Sequence, residues 1–296
     1  MNLAPIFKEF LTKIISKAKF IYSYIKSWLL GRIRSRQFSQ VHTFLMFIGY
    51  PRSGHSLIAS LLDAHPNIIL GMEWGVLPHM KMGYDQKQIF YSILNNSKTF
   101  NEKKRNVWTG YSYYVDGMYQ GKYTDLFVIG DKMGGRTSML VKESPELLEQ
   151  LKSGIKKPIK FIHVIRNPFD VITTMTKRSQ DRKSKHVDLK TIHLLPFIKS
   201  FFDRVETISW LKLNGQVEIF DLYQEDFIKN PKENLTELLK FVNIESDFNY
   251  VKKCSEIVYN QPHKSRFEID WTIDLIHYVQ EEIKKYSFLA RYSYED

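Results

Sequence analysis

Several features common in enzymes and exported proteins are missing from this chain of 296 residues. Cys254 is its single cysteine, which excludes an intrachain disulfide framework and a cysteine-based zinc site. Neither HExxH nor GxSxG occurs, so the sequence offers no zincin helix and no hydrolase nucleophile elbow. Residues 1–40 contain neither an uncharged run near the roughly 18 residues of a spanning helix nor a signal-peptide cleavage pattern. We therefore expect a cytoplasmic protein, at most peripheral on a membrane.

Acidic residues are also scarce in residues 1–40, which contain Glu9 and eight lysines and arginines. Eight minus one leaves +7 of the formal net charge of +11 in this segment. Its apolar residues recur at close to helical spacing from Ile6 to Leu29. Such a basic amphipathic helix is typical of binding to an anionic membrane surface, and the alternative is a helix packed on the domain with a solvated basic face. We divide the chain into this basic N-terminal arm, residues 1–40, and a globular domain, residues 41–296. No aromatic–basic platform stands out in the domain, so we expect no nucleic-acid partner.

The rest of the chain alternates between apolar, β-prone runs and segments with helical periodicity. We predict strands at 42–49, 68–71, 126–130, 160–165 and 217–222, and helices at 56–64, from 144 onward, and at 167–178, 190–213, 231–242 and 271–286. This order is typical of βαβ units, so the predicted fold is α/β: a three-layer parallel sheet with helices on both faces. Residues 75–125 show no clean periodicity, and we expect there a substrate-facing insertion, a lid, or an irregular, aromatic-rich part of the core.

The stretch from Gly49 to Ser56 follows the first predicted strand and leads into the first helix of the domain. Gly49 and Gly54 stand at the first and sixth positions of the phosphate-binding pattern GxxxxGK[ST], and Ser56 stands at the eighth. His55 takes the place of the lysine, and a cation comes earlier, at Arg52. A helix N-terminus offers unpaired N–H groups and the positive end of the helix dipole, so we expect an anion site here.

A metal site beside this loop is not predicted. Asp131 ends a predicted strand, but Lys132 follows it directly and would compete with a cation. We therefore interpret the loop as a metal-free cradle for a phosphate or sulfate oxyanion, which the planar donor fork of Arg52 suits.

These residues resemble a known family. Residues 50–54 (YPRSG), followed by residues 57–66, are similar to the 5′-phosphosulfate loop of sulfotransferases that use 3′-phosphoadenosine 5′-phosphosulfate (PAPS). A second family feature is a strand ending in arginine with a serine or threonine eight residues later, and Arg166 and Thr174 resemble it. A third is a strand followed by Tyr-Glu-Asp-Leu, proline and an apolar helix, which residues 223–242 resemble with one extra residue after the tyrosine. The resemblance covers about residues 42–290 and implies the P-loop NTPase-like sulfotransferase fold.

The resemblance implies that the protein binds PAPS and releases 3′,5′-ADP. Donors to the 5′-phosphosulfate would come from Arg52, Ser53, Gly54, His55 and Ser56. Arg166 and Thr174 would hold the 3′-phosphate. Ser265 and Arg266 would close over the cofactor, and the alternative for these two is a solvated basic turn.

In its motif spacing the chain is nearest to the tyrosylprotein branch of the family, where a glutamate after the first helix of the domain acts as general base. Glu73 stands at a similar spacing, and the alternative is a solvated carboxylate at a strand end. His55 is the rival base, because an imidazole suits proton transfer near neutral pH, although its place in the loop implies a hydrogen bond to the phosphosulfate. Arg52 and Lys132 would neutralise charge in the transition state, and the alternative for Lys132 is a surface lysine.

We therefore expect an enzyme that moves a sulfuryl group from PAPS to a hydroxyl of a glycan, a lipid or another small molecule, without a metal. One alternative is a P-loop kinase for small hydroxyl compounds, against which the missing lysine at position 55 argues. The other is a non-catalytic relative that associates with membranes through residues 1–40. The sequence does not identify the acceptor.

Overall fold

The computed structural model describes residues 4–103, 107–108, 111–181 and 193–296. Within these residues lie seven strands: β1 (Thr43–Ile48), β2 (Ile68–Met72), β3 (Val107–Trp108), β4 (Tyr111–Ser112), β5 (Val128–Lys132), β6 (Ile159–Ile165) and β7 (Glu218–Tyr223). Five of them form an all-parallel sheet in the order β2-β5-β1-β6-β7, and β3 and β4 form a separate antiparallel pair. The ends of the sheet strands differ from the predicted ones by two residues or fewer.

Twelve α-helices lie in the same described residues. They are α1 (Ala4–Ile33), α2 (His55–Asp63), α3 (Val76–Lys81), α4 (Gln86–Glu102), α5 (Gly134–Glu143), α6 (Glu146–Gly154), α7 (Pro168–Asp181), α8 (Leu195–Asn214), α9 (Gln224–Lys229), α10 (Pro231–Phe241), α11 (Phe248–Glu256) and α12 (Ile273–Lys284). The alternation of strands and helices confirms the predicted α/β class, because parallel neighbours need crossover connections.

The sheet separates two hydrophobic cores, as the side chains of β1 illustrate. Phe44, Met46 and Ile48 belong to one core, and Leu45 and Phe47 belong to the other. Successive side chains of a strand point to opposite faces, so a strand that is apolar throughout requires cover on both faces. Helices α4, α5, α7, α8 and α12 contribute to the first core, and α2, α10 and α11 contribute to the second. The predicted three-layer arrangement is confirmed.

The carboxyl ends of the strands meet at one edge of the sheet. The register of β2 and β5 sets Met72 beside Lys132, and the register of β1 and β6 sets Ile48 beside His163. Glu73 directly follows β2 and Arg166 directly follows β6. Ligands of open parallel sheets bind at this edge, so the fold gathers residues that are far apart in the sequence.

Helix α4 is the main difference from the prediction, because it is regular helix where an insertion or irregular core was expected. Its N-terminus is a capping box, in which Gln88 N donates to Asp85 Oδ1 at 2.9 Å and Asp85 N donates to Gln88 Oε1 at 3.1 Å. Ile89, Phe90 and Ile93 are buried beyond this cap. The Asp-x-x-Gln pattern and the apolar spacing are signals of a helix that the sequence contains.

Two other helix starts differ from the prediction. In α6 the N-cap residue is Pro145, with no side-chain capping bond, so Ser144 does not cap the helix. The helix predicted at 190–213 corresponds to α8, and residues 190–192 of the prediction lie outside the described residues.

Helix α1 packs its second half against α4. Arg32 Nη2 lies 2.7 Å from Asp85 Oδ2, and the Gln88 amide donates to the Tyr24 carbonyl at 3.3 Å. A side chain at Gly31 would bring its Cβ within 2.5 Å of the Lys87 carbonyl oxygen, so the close approach of the two helices depends on glycine.

The outer face of α1 carries exposed apolar and basic side chains. Trp28 is 45% exposed and Ile33 is 66% exposed, and Lys17, Lys19 and Lys26 are exposed as well. In the part of the chain that the structure describes, no helix combines the length and the apolarity needed to cross a membrane. Helix α1 therefore packs on the domain and also presents an amphipathic surface to its surroundings.

Candidate functional site

The loop between β1 and α2 contains three residues with left-handed backbone. The φ angles are 141° at Gly49, 71° at Arg52 and 102° at Gly54. Glycine adopts this conformation readily, whereas a residue such as Arg52 is strained by about 1–3 kcal/mol. The turn exposes the N-terminus of α2, where the N–H groups of His55 and Ser56 have no acceptor within the helix. These N–H groups and the helix dipole suit an anion.

Ser138 of α5 fixes the start of this loop, and the sequence reasoning missed it. The Gly49 N–H donates to Ser138 Oγ at 2.9 Å, and Ser138 Oγ donates to the Gly49 carbonyl at 2.9 Å. One buried hydroxyl thus satisfies both backbone groups of Gly49. No local pattern marks Ser138, because its partner is 89 residues away in the sequence.

The imidazole of His55 lies beneath the loop. Its Nε2 is 3.0 Å from the Ile48 carbonyl oxygen, and its Nδ1 is 3.1 Å from Ser53 Oγ. A carbonyl only accepts, so Nε2 carries the proton and Nδ1 is the acceptor nitrogen of the neutral ring. The Ser53 hydroxyl has two acceptors within reach, because the Tyr50 carbonyl lies 3.0 Å from its Oγ and His55 Nδ1 lies 3.1 Å from it. A Cβ at Gly134 would lie 2.6 Å from the ring, so a glycine is needed to make room for it. Burial lowers the pKa of His55 to about 3, and the ring is neutral near pH 7.

Glu73 lies just beyond β2, and an ion pair joins it to the end of β5. Lys132 Nζ is 2.9 Å from Glu73 Oε1 and 3.1 Å from Ser56 Oγ. The Lys132 side chain is 3% exposed and the Glu73 side chain is 49% exposed. The φ angle of Glu73 is 58°, so a second strained residue lies at this edge of the sheet. A half-exposed carboxylate is thus connected to the N-terminus of α2 through a buried ammonium group.

Asp131 holds the turn that follows Glu73, and the sequence reasoning missed this role as well. Asp131 Oδ1 accepts from Trp74 N at 3.0 Å, and Oδ2 accepts from Gly75 N at 2.8 Å. Burial raises the pKa of Asp131 to about 6, and the two N–H donors oppose that rise. Asp131 therefore holds the turn that follows Glu73, and Lys132 holds the Glu73 side chain.

Arg166, Thr174 and Ser265 come together at the other end of the loop. Arg166 Nη1 donates to the Arg52 carbonyl at 3.0 Å, and Nη2 donates to the His263 carbonyl at 2.6 Å. The hydroxyls of Thr174 and Ser265 are 2.9 Å apart. Burial lowers the pKa of Arg166, although an arginine remains charged near neutral pH. This cluster joins the loop, the α7 helix and the turn before Ser265.

Arg266 points away from its neighbour Ser265. Its Nη1 lies 2.6 Å from Asp170 Oδ2, its N–H donates to Asp170 Oδ1 at 2.9 Å, and its Nε donates to the Tyr294 carbonyl at 2.7 Å. The side chains of Arg266 and Asp170 are 2% and 3% exposed. These contacts fix the turn that contains Ser265. They also hold the Arg266 guanidinium in the interior of the domain.

A cavity of about 1360 Å³ joins these groups. It is lined by nine of the eleven residues singled out from the sequence: Arg52, Gly54, His55, Ser56, Glu73, Lys132, Arg166, Thr174 and Ser265. Ser53 and Arg266 do not line it. Lys177 and Arg178 do, and they follow Thr174 by three and four residues on one face of α7. That helical spacing is the signal by which the sequence could have revealed them.

The cavity is strongly basic. Its lining contains six lysines and arginines against three glutamates, a balance that attracts a polyanion. Among the described residues, no group of three or more His, Cys, Asp or Glu side chains could hold a metal ion. The site therefore combines cationic and N–H donors for an anionic ligand with a half-exposed carboxylate, Glu73, at the end of β2 beside Lys132.

Residues 45–248, more than half of the chain, match the model of the Sulfotransferase family. Protein-tyrosine sulfotransferase 1 of Danio rerio is 26% identical over 207 residues, which cover 68% of this chain and 53% of that protein. The chain thus spans about half the length of this curated relative. Sulfotransferase STF9 from Mycobacterium avium, a crystal structure, aligns with a TM-score of 0.56 and 10% identity over 91% of this chain and 82% of its own. That likeness establishes the shared fold.

Proposed function

The chain belongs to the sulfotransferase family, and from that premise we propose that it transfers a sulfuryl group from PAPS to a hydroxyl acceptor. The acceptor oxygen bonds to sulfur while the bond from sulfur to the 5′-phosphate oxygen breaks, the hydroxyl proton passes to a base, and 3′,5′-ADP leaves with the electron pair. The observation that carries the proposal is the basic cavity, with Glu73 and Lys132 at one end and Arg166 and Thr174 at the other.

The donor set fits a nucleotide with phosphate groups at both the 5′ and the 3′ position. At one end, the first-turn N–H groups of α2, the Ser56 hydroxyl and the Lys132 ammonium converge on the loop. At the other end, Arg166 uses two nitrogen atoms for carbonyl groups, and a guanidinium has five N–H donors, so donors are available for a phosphate. The Thr174 and Ser265 hydroxyls, 2.9 Å apart, line the same cavity as Arg166. Two donor clusters match two phosphates.

Glu73 is the proposed general base. Its carboxylate is half exposed at the mouth of the cavity, where an acceptor hydroxyl can reach it. Lys132 contacts both Glu73 and Ser56, so its ammonium is close to the acceptor side and to the phosphate side of the reaction. We propose that Lys132 stabilises the negative charge that develops on the phosphate oxygen as Glu73 takes the proton.

His55 and Arg266 are proposed as positioning residues. Both nitrogen atoms of the His55 ring are engaged by protein groups, so the ring supports the loop from below and neither takes a proton from the acceptor nor contacts the phosphosulfate. Arg266 is engaged by Asp170 and orients the turn that carries Ser265. Of the two candidate bases, the geometry therefore favours Glu73.

Calorimetric titration with 3′,5′-ADP tests the cofactor site. We expect micromolar binding by the wild-type protein and a loss of about tenfold or more for Thr174→Val, because hydrogen bonds to charged groups contribute about 1.5–3 kcal/mol. Arg166→Lys, which keeps the charge and removes the donor fork, should lose as much. Arg291→Ala is the matched control, because Arg291 pairs with Asp226 outside the cavity.

The proposal fails if folded wild-type protein does not bind 3′,5′-ADP at high micromolar concentration. Magnesium-dependent binding of ATP in its place would favour a kinase. Equal affinities for the wild type, Thr174→Val and Arg166→Lys would place the 3′-phosphate elsewhere in the cavity.

We also propose that the arm, residues 1–40, attaches the domain, residues 41–296, to anionic membrane surfaces. The supporting observation is the exposed face of α1, where Trp28 and Ile33 lie near exposed lysines. The full chain should bind phosphatidylserine vesicles with a steep salt dependence, and Lys17→Glu with Lys19→Glu should abolish most of that binding. The control reverses Lys284 and Lys285 at the C-terminal end of α12, which are exposed as well. Similar losses in both double variants would contradict a specific role for α1.

A further inference from the structure

A second cavity, of about 860 Å³, lies between α1 and α4 and reaches the other side of Glu73. Glu73 lines this cavity and the basic cavity alike, so the proposed base separates two compartments. The volume is in the range of ordinary ligand pockets. Among the residues that the structure describes, the two cavities share Glu73 and no other lining residue. An acceptor held in the second cavity would therefore bring its hydroxyl to the proposed base.

The α4 wall of this cavity is a continuous polar face. Ser92, Asn95, Asn96 and Thr99 line it at positions i, i+3, i+4 and i+7, which is one side of a helix. Asn96 Oδ1 accepts from Met72 N at 2.7 Å, which orients the amide at the floor of the cavity. Hydroxyl and amide side chains both donate and accept hydrogen bonds. The wall therefore suits a ligand with several hydroxyl groups.

The opposite wall comes from α1. Tyr22, Ser23, Lys26 and Ser27 line it, and the Lys26 ammonium lies 5.8 Å from the centre of the Tyr22 ring. Of the described residues that line the cavity, Lys26 is the one cation and Glu73 is the one carboxylate. The segment that the sequence separates as an arm thus supplies part of the site.

Aromatic side chains complete the lining. Trp74 stacks on His79 with ring centres 3.8 Å apart and planes 12° from parallel, so its indole is held in a fixed orientation beside Glu73. Tyr91 and Phe100 also line the cavity. Aromatic faces pack against the C–H groups on the faces of a saturated ring, and the neighbouring hydroxyl and amide groups can hydrogen-bond with hydroxyls at the edge of that ring.

We infer that this cavity binds the acceptor and that the acceptor is a sugar. The inference rests on the proposed function and names the substrate class of the same reaction: a sugar hydroxyl gives its proton to Glu73 and receives the sulfuryl group. A tyrosine side chain fits the lining less well, because its ring would leave the hydroxyls and amides of the α4 face without partners. A free sugar and a glycolipid head group present the same chemistry, so the test uses a probe for each.

Transfer from ³⁵S-labelled PAPS to three probes tests the inference. The probes are p-nitrophenyl hexosides in solution, a hexosylceramide in phosphatidylcholine vesicles, and a tyrosine-containing peptide. We expect label on a hexoside, on the hexosylceramide or on both. Label on the soluble hexosides identifies free sugars as acceptors, and label confined to the vesicles identifies glycolipids.

Variants of α4 test the location. Thr99→Trp places an indole in the cavity and should lower kcat/KM for the labelled sugar by about tenfold or more, because the indole occupies space that the sugar needs. It should also weaken calorimetric binding of the hexoside to protein saturated with 3′,5′-ADP, while the affinity for 3′,5′-ADP is unchanged. Lys98→Trp is the matched control, because Lys98 is the adjacent residue of α4, lies outside the cavity and is 64% exposed.

The outcomes separate this inference from the proposed function. Protein that does not bind 3′,5′-ADP contradicts the proposed function itself. Protein that binds 3′,5′-ADP but labels the peptide alone, or none of the probes, overturns the sugar assignment. Sugar transfer that Thr99→Trp leaves unchanged overturns the assignment of the cavity.

Discussion

The buried imidazole of His55 should make the stability of the protein depend on pH in a way that one substitution isolates. His55 has an ordinary pKa of 6.5 when unfolded and a pKa of about 3 in the folded protein, because burial opposes its charged form. Between these values the unfolded chain binds a proton that the folded protein does not. The contribution of His55 to the free energy of unfolding is therefore greatest above pH 6.5 and decreases as the pH falls below that value.

The magnitude follows from the same two values. At pH 4.5 the pH is two units below the unfolded pKa of 6.5. Each unit corresponds to about 1.36 kcal/mol, so the free energy of unfolding should fall by about 2.7 kcal/mol between pH 7 and pH 4.5. Asp63 and Asp131 act in the opposite direction, because burial raises the pKa of each to about 6 and the folded protein binds their protons first. The wild-type curve alone therefore mixes opposing contributions.

The difference in free energy of unfolding between the wild type and His55→Gln isolates the contribution of His55, because Asp63 and Asp131 are present in both proteins. Urea unfolding, followed by circular dichroism, should show a wild-type advantage near pH 7 that shrinks by about 2.7 kcal/mol at pH 4.5, because glutamine does not titrate. Ile48→Val is the control: it removes one buried methylene from the residue whose carbonyl contacts the ring, at a cost of about 1 kcal/mol, and that cost should not vary with pH. A constant difference between the wild type and His55→Gln at all pH values would refute the assignment of a neutral, buried ring.

Three other predictions concern the site and its supports. Glu73→Gln should reduce sulfuryl transfer by about 10²–10⁴-fold and leave the calorimetric affinity for 3′,5′-ADP unchanged, and transfer at wild-type rate would exclude Glu73 as the base. Asp170→Ala should lower the free energy of unfolding by about 3–5 kcal/mol, because it leaves the buried Arg266 unpaired; Asp226→Ala, which breaks an exposed pair, should cost about 1 kcal/mol or less. Ser138→Ala should lower the free energy of unfolding by about 1–3 kcal/mol, because the N–H of Gly49 loses its acceptor. The control Ser153→Ala, at an exposed serine, should leave the free energy of unfolding nearly unchanged.

The parts of this protein that the sequence predicted correctly depend on short-range patterns. The apolar runs identify the five sheet strands, and their alternation with helices leads to the parallel sheet that the structure confirms. Family membership is confirmed as well, since the loop from Gly49 to Ser56 and the spacing of Arg166 and Thr174 lie within the matched residues. The roles of the individual site residues stay predictions.

The parts that the sequence did not predict depend on partners far apart in the chain. The orientation of the His55 ring requires a glycine at 134, and Arg266 finds its partner in Asp170, 96 residues earlier. The contribution of α1 to a cavity beside Glu73 depends on its close packing at Gly31. None of these contacts leaves a periodic signal. Helix α4 is different, because its capping box, formed by Asp85 and Gln88, is a local pattern that the sequence contains.

The pairing of Met72 with Lys132 in the parallel sheet has a consequence for how this site can change over generations. A single-residue insertion or deletion inside β5 would exchange the directions of Asp131 and Lys132, so that the ammonium would leave Glu73 and the carboxylate would leave the turn beyond it. Both supports would be lost in one event, and no second point substitution would restore them. We therefore expect length variation among homologues to be absent from β2 and β5 and to accumulate in the connections between elements, where acceptor preference can diverge while the chemistry stays in place.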